Sequence, residues 1–330
     1  MSADQRPLFI FGCPRSGTSL LTRMLNAHPN IAIPYESHLY NRVYPIVGSG
    51  ESLADPRRRR RLVAEILHTD YVRHWEPAPD LSDTMASIVR YDFHGVVDGL
   101  LRAWTARQGK VRWGEKTPQH TLWWQAISEG FPDLQVIHLV RDGRDVALSY
   151  RDAHFGPKHV YQLARRWEQY LGAAEDAAAA LGARAFLTVR YEDLLAEPER
   201  ELRRTSEFLG ERFDPAMMAY HEGEAAAYPT DPRNEGNLRR PILRQNSQKW
   251  RTRMSARDLR IFEALAGEAL DRYGYDRGVR QPRISPWERM SSRLLEDPPR
   301  RAMAMLTNRQ GHRLALETVR LYIQLRLRPW

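Results

Sequence analysis

An apolar run closing on a glycine-bounded loop, strand-like segments alternating with helical repeats, and an ample supply of core-forming residues together predict an α/β fold. The sheet is expected to be parallel and P-loop-like, flanked by helices, with a helical extension at the C-terminal end. Of 330 residues, 42% are hydrophobic and 28% charged, the balance of a folded chain and not of a disordered one. Residues 1–281 are expected to form the α/β domain and 282–330 a basic, amphipathic helical extension.

Leu8-Phe9-Ile10-Phe11 reads as a short buried strand that ends at Gly12, and Leu20, Leu21, Met24 and Leu25 recur at helical spacing directly afterwards. Pro29 stops that helix, Ile31 to Ile33 reads as a second strand, and Glu36 follows it. Residues 55–105 have helical character and carry the run Arg57 to Arg61, which reads as a solvated helix face in preference to a nucleic-acid patch. From Val111 the chain passes through Gly114-Glu115-Lys116-Thr117-Pro118 into an apolar helix and then the strand Val136 to Val140, with Arg141-Asp142-Gly143-Arg144 at its end. A further strand, Ala185 to Val189, leads into Arg190-Tyr191-Glu192-Asp193-Leu194, and a helix opens at Pro198 and closes at Gly210. Residues 223–247 look like a surface loop able to order over a ligand, and a helix is expected from Ser255 to about Tyr273. His312 to Trp330 can be drawn as a helix with Leu314, Thr318, Leu321, Tyr322 and Leu325 on one face. Its arginines suit packing on its own domain or a second subunit, and peripheral membrane contact is the competing use.

The 50 Lys and Arg against 41 Asp and Glu leave a net charge of +9, which favours anionic partners without choosing among them. Cys13 is the single cysteine, so no internal disulfide forms and a reducing compartment fits. No apolar leader follows Met1 and no segment is long and apolar enough to span a bilayer, so a cytoplasmic protein is expected. The 11 histidines show no paired ligand spacing, and no metal site is expected.

Gly12-Cys13-Pro14-Arg15-Ser16-Gly17-Thr18-Ser19 sits between strand and helix, where backbone N–H groups and a helix N-terminus surround an anion. Compared with a Walker A loop, Thr18 stands where Lys should be, so the side chain that reaches the outer phosphates of a nucleoside triphosphate is missing. Arg15 supplies a cation from inside the loop instead. An ordinary turn would not need Arg, Ser, Thr and Ser crowded there.

These residues resemble the sulfotransferases that use 3′-phosphoadenosine 5′-phosphosulfate (PAPS), and the chain is similar to the bacterial members related to the tyrosylprotein and carbohydrate branches. The resemblance runs over roughly residues 8–275. It implies that Arg15, Ser16, Gly17, Thr18 and Ser19 hold the 5′-phosphosulfate, and that Arg141 and Ser149, eight residues apart, hold the 3′-phosphate. Tyr191 falls where the family places a residue near the nucleotide; a Tyr packed under the sheet is the equal alternative. Ser247-Gln248-Lys249-Trp250 is the best match for the C-terminal nucleotide loop.

The implied reaction passes the sulfuryl group of PAPS to an acceptor hydroxyl and releases adenosine 3′,5′-bisphosphate, without a metal. Arg15 and Lys116 are expected to stabilise charge at the bridging oxygen. Glu36, in Ile33-Pro34-Tyr35-Glu36-Ser37, stands where the resembling enzymes have their general base, and His38 is its competitor. The acceptor pocket is expected from segments 40–110 and 223–247, with Tyr40, Tyr44, Trp75, Tyr91, Phe93 and Trp104 available either to stack on an acceptor or to fill the core. A P-loop kinase, with Asp142 organising magnesium, and a non-catalytic anion- or membrane-binding protein are the alternatives; no nucleic-acid partner is expected.

Overall fold

A computed structural model describes residues 6–49, 51–153, 155–222, 238–296, 298–299, 302–303 and 309–327. Most of the expected 223–247 loop (223–237) and the last three residues of the expected C-terminal helix lie outside the described residues.

Five strands form one sheet in which every pairing is parallel: β1 (Leu8–Phe11), β2 (Ile31–Ala32), β3 (Arg112–Glu115), β4 (Gln135–Val140) and β5 (Phe186–Arg190). Their spatial order is β2-β3-β1-β4-β5. The chain leaves β1 to one side for β2 and β3 and then crosses to β4 on its other side, so the order reverses at the C-terminal end of β1. Open parallel sheets place their ligand crevice at that kind of switch point.

Alternation along β1 sends Phe9 and Phe11 into one core and Leu8 and Ile10 into the other, as a strand covered on both faces requires. The first core gathers Trp113, Val136 and the helix Phe93–Arg107, and the second gathers Leu21, Leu25, Ile137, Val189 and Leu202. A third cluster, around Trp167, Phe262 and Leu270, joins the long helix Val160–Leu181 to the helix Ala256–Arg272.

Helices α1 (Thr18–Asn26) and α3 (Gly143–Arg151) follow β1 and β4, α2 (Pro56–Leu67) lies between β2 and β3, and α4 (Arg309–Tyr322) lies beyond β5 in the chain. The arginine run on α2 is not wholly a solvated face. Arg59 is buried, donates to the Leu53 carbonyl at 2.7 Å and lies over the Tyr91 ring, while Arg61 reaches Gln324. Strand β3 is the element whose sequence has no strand-like apolar pattern. Buried Arg112 instead caps its side chain on the Leu209 carbonyl, Gln135 and Glu211, and a Cβ at Gly114 would meet Ile33 at 2.8 Å.

Helix α4 packs back onto the α/β body. Leu321 and Leu325 enter the first core, Arg42 donates to the Leu314 carbonyl and to Thr318, and Arg320 pairs with Glu65 at 2.9 Å. Tyr322, drawn on that inward face, is exposed. Of the aromatics offered for stacking, Tyr40, Trp75, Phe93 and Trp104 are buried core residues.

Candidate active site

All five strands deliver a side chain or loop to one cavity of about 300 Å³ at their C-terminal ends. After β1, the loop from Gly12 to Gly17 turns sharply: Arg15 and Gly17 both have positive φ, and a Cβ on Gly17 would strike the Tyr191 ring at 2.4 Å. Only glycine fits there. Gly17 caps α1 without any side-chain hydrogen bond, so the first N–H groups of the helix face the cavity unclaimed by a capping side chain. Arg15, Gly17, Thr18 and Ser19 line the cavity, whereas Ser16 is buried with its hydroxyl unpartnered.

After β4, Asp142 caps α3 through the Arg144 N–H, and Arg141 turns into the cavity. Its guanidinium donates to the carbonyls of Arg15 (3.2 Å) and Asn246 (2.9 Å) and lies 4.5 Å from the Tyr191 ring centroid. Its buried Nε has no partner. Ser149, two turns along α3, accepts from Arg15 Nε at 2.9 Å, which joins the two anion motifs directly. Tyr191, opening the helix after β5, lines the cavity and accepts from Asn246 Nδ2 at 2.8 Å.

On the other side, β3 is followed directly by Lys116, only 1% exposed, whose ammonium donates to Glu36 Oε1 at 2.6 Å and Ser19 Oγ at 3.4 Å. It is therefore no surface lysine. Glu36 lines the cavity; His38 does not, and lies behind Glu36 with Nε2 3.2 Å from Oε2. An ionised carboxylate only accepts, so His38 donates Nε2–H and spends it there. Burial alone would raise the Glu36 carboxyl, but the charge of Lys116 and the bond from His38 outweigh it and bring it down to about 2. Burial pushes the His38 imidazole below its usual value.

Asn246, Asp145, Lys249 as an individual side chain, and Arg253 also line the cavity, though no local pattern in the sequence marks them. Of the segment 247–250, Lys249 faces the cavity, and the Trp250 N–H donates to Asp145 at 2.9 Å. Burial, with Arg141 and Arg253 nearby, lowers the Lys249 ammonium below its usual range. Crowded cations of this kind suit a polyanionic ligand. The apolar wall comes from Tyr35, Leu148, Phe155, Leu195 and Leu243, and no lining residue comes from 40–110, because that segment is consumed by the core.

Residues 7–215 match the model of the sulfotransferase family. The chain belongs to that family. It is 21% identical to protein-tyrosine sulfotransferase A of Caenorhabditis elegans over 88% of this chain and 72% of that protein. Nodulation protein NoeE of Sinorhizobium fredii is 24% identical over 86% of this chain and 70% of its own length. The sulfotransferase domain of the Synechococcus PCC 7002 olefin synthase superposes with a TM-score of 0.57 at 22% identity, covering 84% of this chain and 98% of that domain, a likeness of fold. As a sulfotransferase the protein catalyses sulfuryl transfer to a hydroxyl-bearing acceptor.

For the kinase alternative, Asp142 would have to be available to a metal. It is instead paired with buried Arg144, 2.7 Å from Nη2, while Arg144 also meets Glu263 at 2.6 Å and stacks on Trp250. Among the described residues, no group of three or more His, Cys, Asp or Glu is arranged to hold an ion, and no helix is long and apolar enough to cross a membrane.

Proposed function

We propose that this sulfotransferase uses PAPS as donor, with Arg15, Ser16, Gly17, Thr18 and Ser19 around the 5′-phosphosulfate and Arg141 and Ser149 on the 3′-phosphate. The observation that carries the reading is that Arg15 binds Ser149 and Arg141 binds the Arg15 carbonyl, so two motifs more than 120 residues apart form one cationic rim. The unpartnered Nε of Arg141, whose side chain lines the cavity, fits a ligand rich in acceptor oxygens. Tyr191 and Asn246 stand beside Arg141, where a base or ribose would rest. Bound PAPS supplies the sulfuryl group: the sulfur–oxygen bond to the bisphosphate breaks as a bond from sulfur to the acceptor oxygen forms.

Glu36 takes the acceptor proton, because it reaches the cavity while His38 holds it from behind. Lys116 is shared between Glu36 and Ser19 and is placed to turn from the resting carboxylate to the charge that grows on the leaving oxygen. These cations do the work a metal does in phosphoryl transfer, and the reading includes metal-free operation in the cytoplasm.

Titration calorimetry with adenosine 3′,5′-bisphosphate tests the donor. Binding that magnesium ATP does not match, weakened at least about tenfold by Arg141→Ala, supports it; preference for magnesium ATP overturns it.

The C-terminal surface has its own role in this reading. Residues 282–330 hold ten arginines against four acids, and the outward face of α4 carries Leu316, Val319 and, one turn on, Ile323. Apolar residues flanked by Arg313 and Arg320 suit an anionic membrane surface, the peripheral partner proposed here.

A further inference from the structure

The mechanism uses Lys116 and Glu36 but leaves unexplained the buried polar cluster beneath them. Glu115, 2% exposed, neighbours Lys116 at the end of β3. Its Oε1 accepts from Ser37 Oγ at 2.8 Å and Thr117 Oγ1 at 2.6 Å, and its Oε2 from His120 Nδ1 at 2.8 Å. Thr117 Oγ1 accepts in turn from the N–H groups of Ser37 (3.0 Å) and His38 (3.3 Å), and His120 Nε2 accepts from the Tyr40 N–H at 3.1 Å. One turn on, Thr121 Oγ1 accepts from the Gly12 N–H at 2.9 Å.

The proton positions follow from these partners. A backbone N–H pointing at Nε2 requires a lone pair there, so His120 is neutral and carries its proton on Nδ1. His38 must carry the opposite tautomer, with its proton on Nε2 toward Glu36. Burial would raise the Glu115 carboxyl, but the hydrogen bonds donated by neutral His120, Thr117 and Ser37 hold it below its usual value. It is a buried charge with three donors, the condition under which such a group specifies one arrangement.

What this arrangement specifies is the segment that carries the base. Residues 37, 38 and 40 are each tied to residues 115–120, and His38 is held at φ +54°, in the left-handed region that residues other than glycine seldom occupy. We propose that Glu115, acting through Thr117 and His120, is a positioning residue that sets Glu36 against Lys116, while Thr121 references the same turn to the donor loop. The inference rests on the catalytic reading of Glu36 and Lys116. Glu115 touches no reacting atom; it fixes the distance between two groups that do.

The full chain with ¹⁵N-histidine, in wild-type, Glu115→Gln, Thr117→Val and Thr117→Ser forms, tests this by long-range ¹H–¹⁵N spectra beside calorimetry with adenosine 3′,5′-bisphosphate. Wild-type protein is expected to show His120 as the Nδ1–H and His38 as the Nε2–H tautomer. Glu115→Gln and Thr117→Val should shift His38 toward mixed tautomers while leaving bisphosphate affinity within about twofold, and Thr117→Ser should restore the wild-type signals. A His120 in the Nε2–H form, or a His38 signal unmoved by both substitutions, overturns the proposal. So does loss of bisphosphate affinity in step with thermal stability, which would make the cluster a general fold element. Failure of the wild-type protein to bind the bisphosphate would instead sink the donor reading, with the histidine result standing on its own.

Discussion

At the scale of single residues, the Glu36–Lys116 contact sets a constraint on pH behaviour. A carboxyl held near 2 in the folded protein and near its ordinary value when unfolded stabilises the fold above the unfolded value, and that contribution disappears as pH falls from about 4.5 to about 2. Integrated over that window the effect is at most about 3 kcal/mol. Denaturant unfolding of wild-type and Glu36→Gln proteins should therefore show an advantage for wild type at pH 7 that shrinks on acidification through this range. An advantage that stays constant would mean that Glu36 is not held ionised by Lys116. The individual residues of this site were readable where chemistry and spacing coincide: Arg15 within its loop, and Arg141 with Ser149 eight residues on. The choice between Glu36 and His38 was not, because both suit a base by type and only the direction in which each points separates them. Asn246 was unreadable for a related reason, since its contacts to Arg141 and Tyr191 are made across more than 50 residues of chain.

At the scale of elements, β1, β4 and β5 announce themselves by apolar runs, and so does the parallel arrangement their alternation with helices implies. Strand β3 does not. Arg112-Trp113-Gly114-Glu115 has one large apolar side chain, yet it occupies the sheet between β2 and β1 because its charged ends find buried partners that no local pattern displays. The cost of removing one such partner is predictable. Arg112 is wholly buried beside Glu211, which also accepts from Asn30 at 3.0 Å. Arg112→Met would leave that carboxylate and the Leu209 carbonyl without their cation, a loss of about 3–5 kcal/mol when a buried pair is broken from one side. Chemical denaturation should show it as a lower midpoint with unchanged slope. A shift under about 1 kcal/mol would show that Glu211 finds water instead, as exposed pairs do.

At the scale of the whole molecule, charge and apolar exposure are distributed unevenly. Nine of the fourteen large apolar side chains exposed among the described residues lie between Trp287 and Ile323, and residues 282–330 around them hold a net +6 of the chain's +9. The amphipathic pattern of the last helix was legible in its sequence, but not that the helix has two apolar stripes. Leu321 and Leu325 are spent on the core, and Leu316, 71% exposed, with Val319 and Ile323 points the opposite way. A stripe facing solvent with arginines at its flanks gains from an interface that offers both acyl chains and anionic headgroups. Full-length protein should therefore sediment with vesicles containing phosphatidylglycerol and not with pure phosphatidylcholine, with binding that weakens as salt rises. Leu316→Glu with Val319→Glu changes only outward side chains, so it should abolish sedimentation while leaving adenosine 3′,5′-bisphosphate binding intact. Protein that ignores both vesicles but runs as a dimer, converted to monomer by the same pair of substitutions, would assign the stripe to a second copy of the chain and remove the membrane from the proposal.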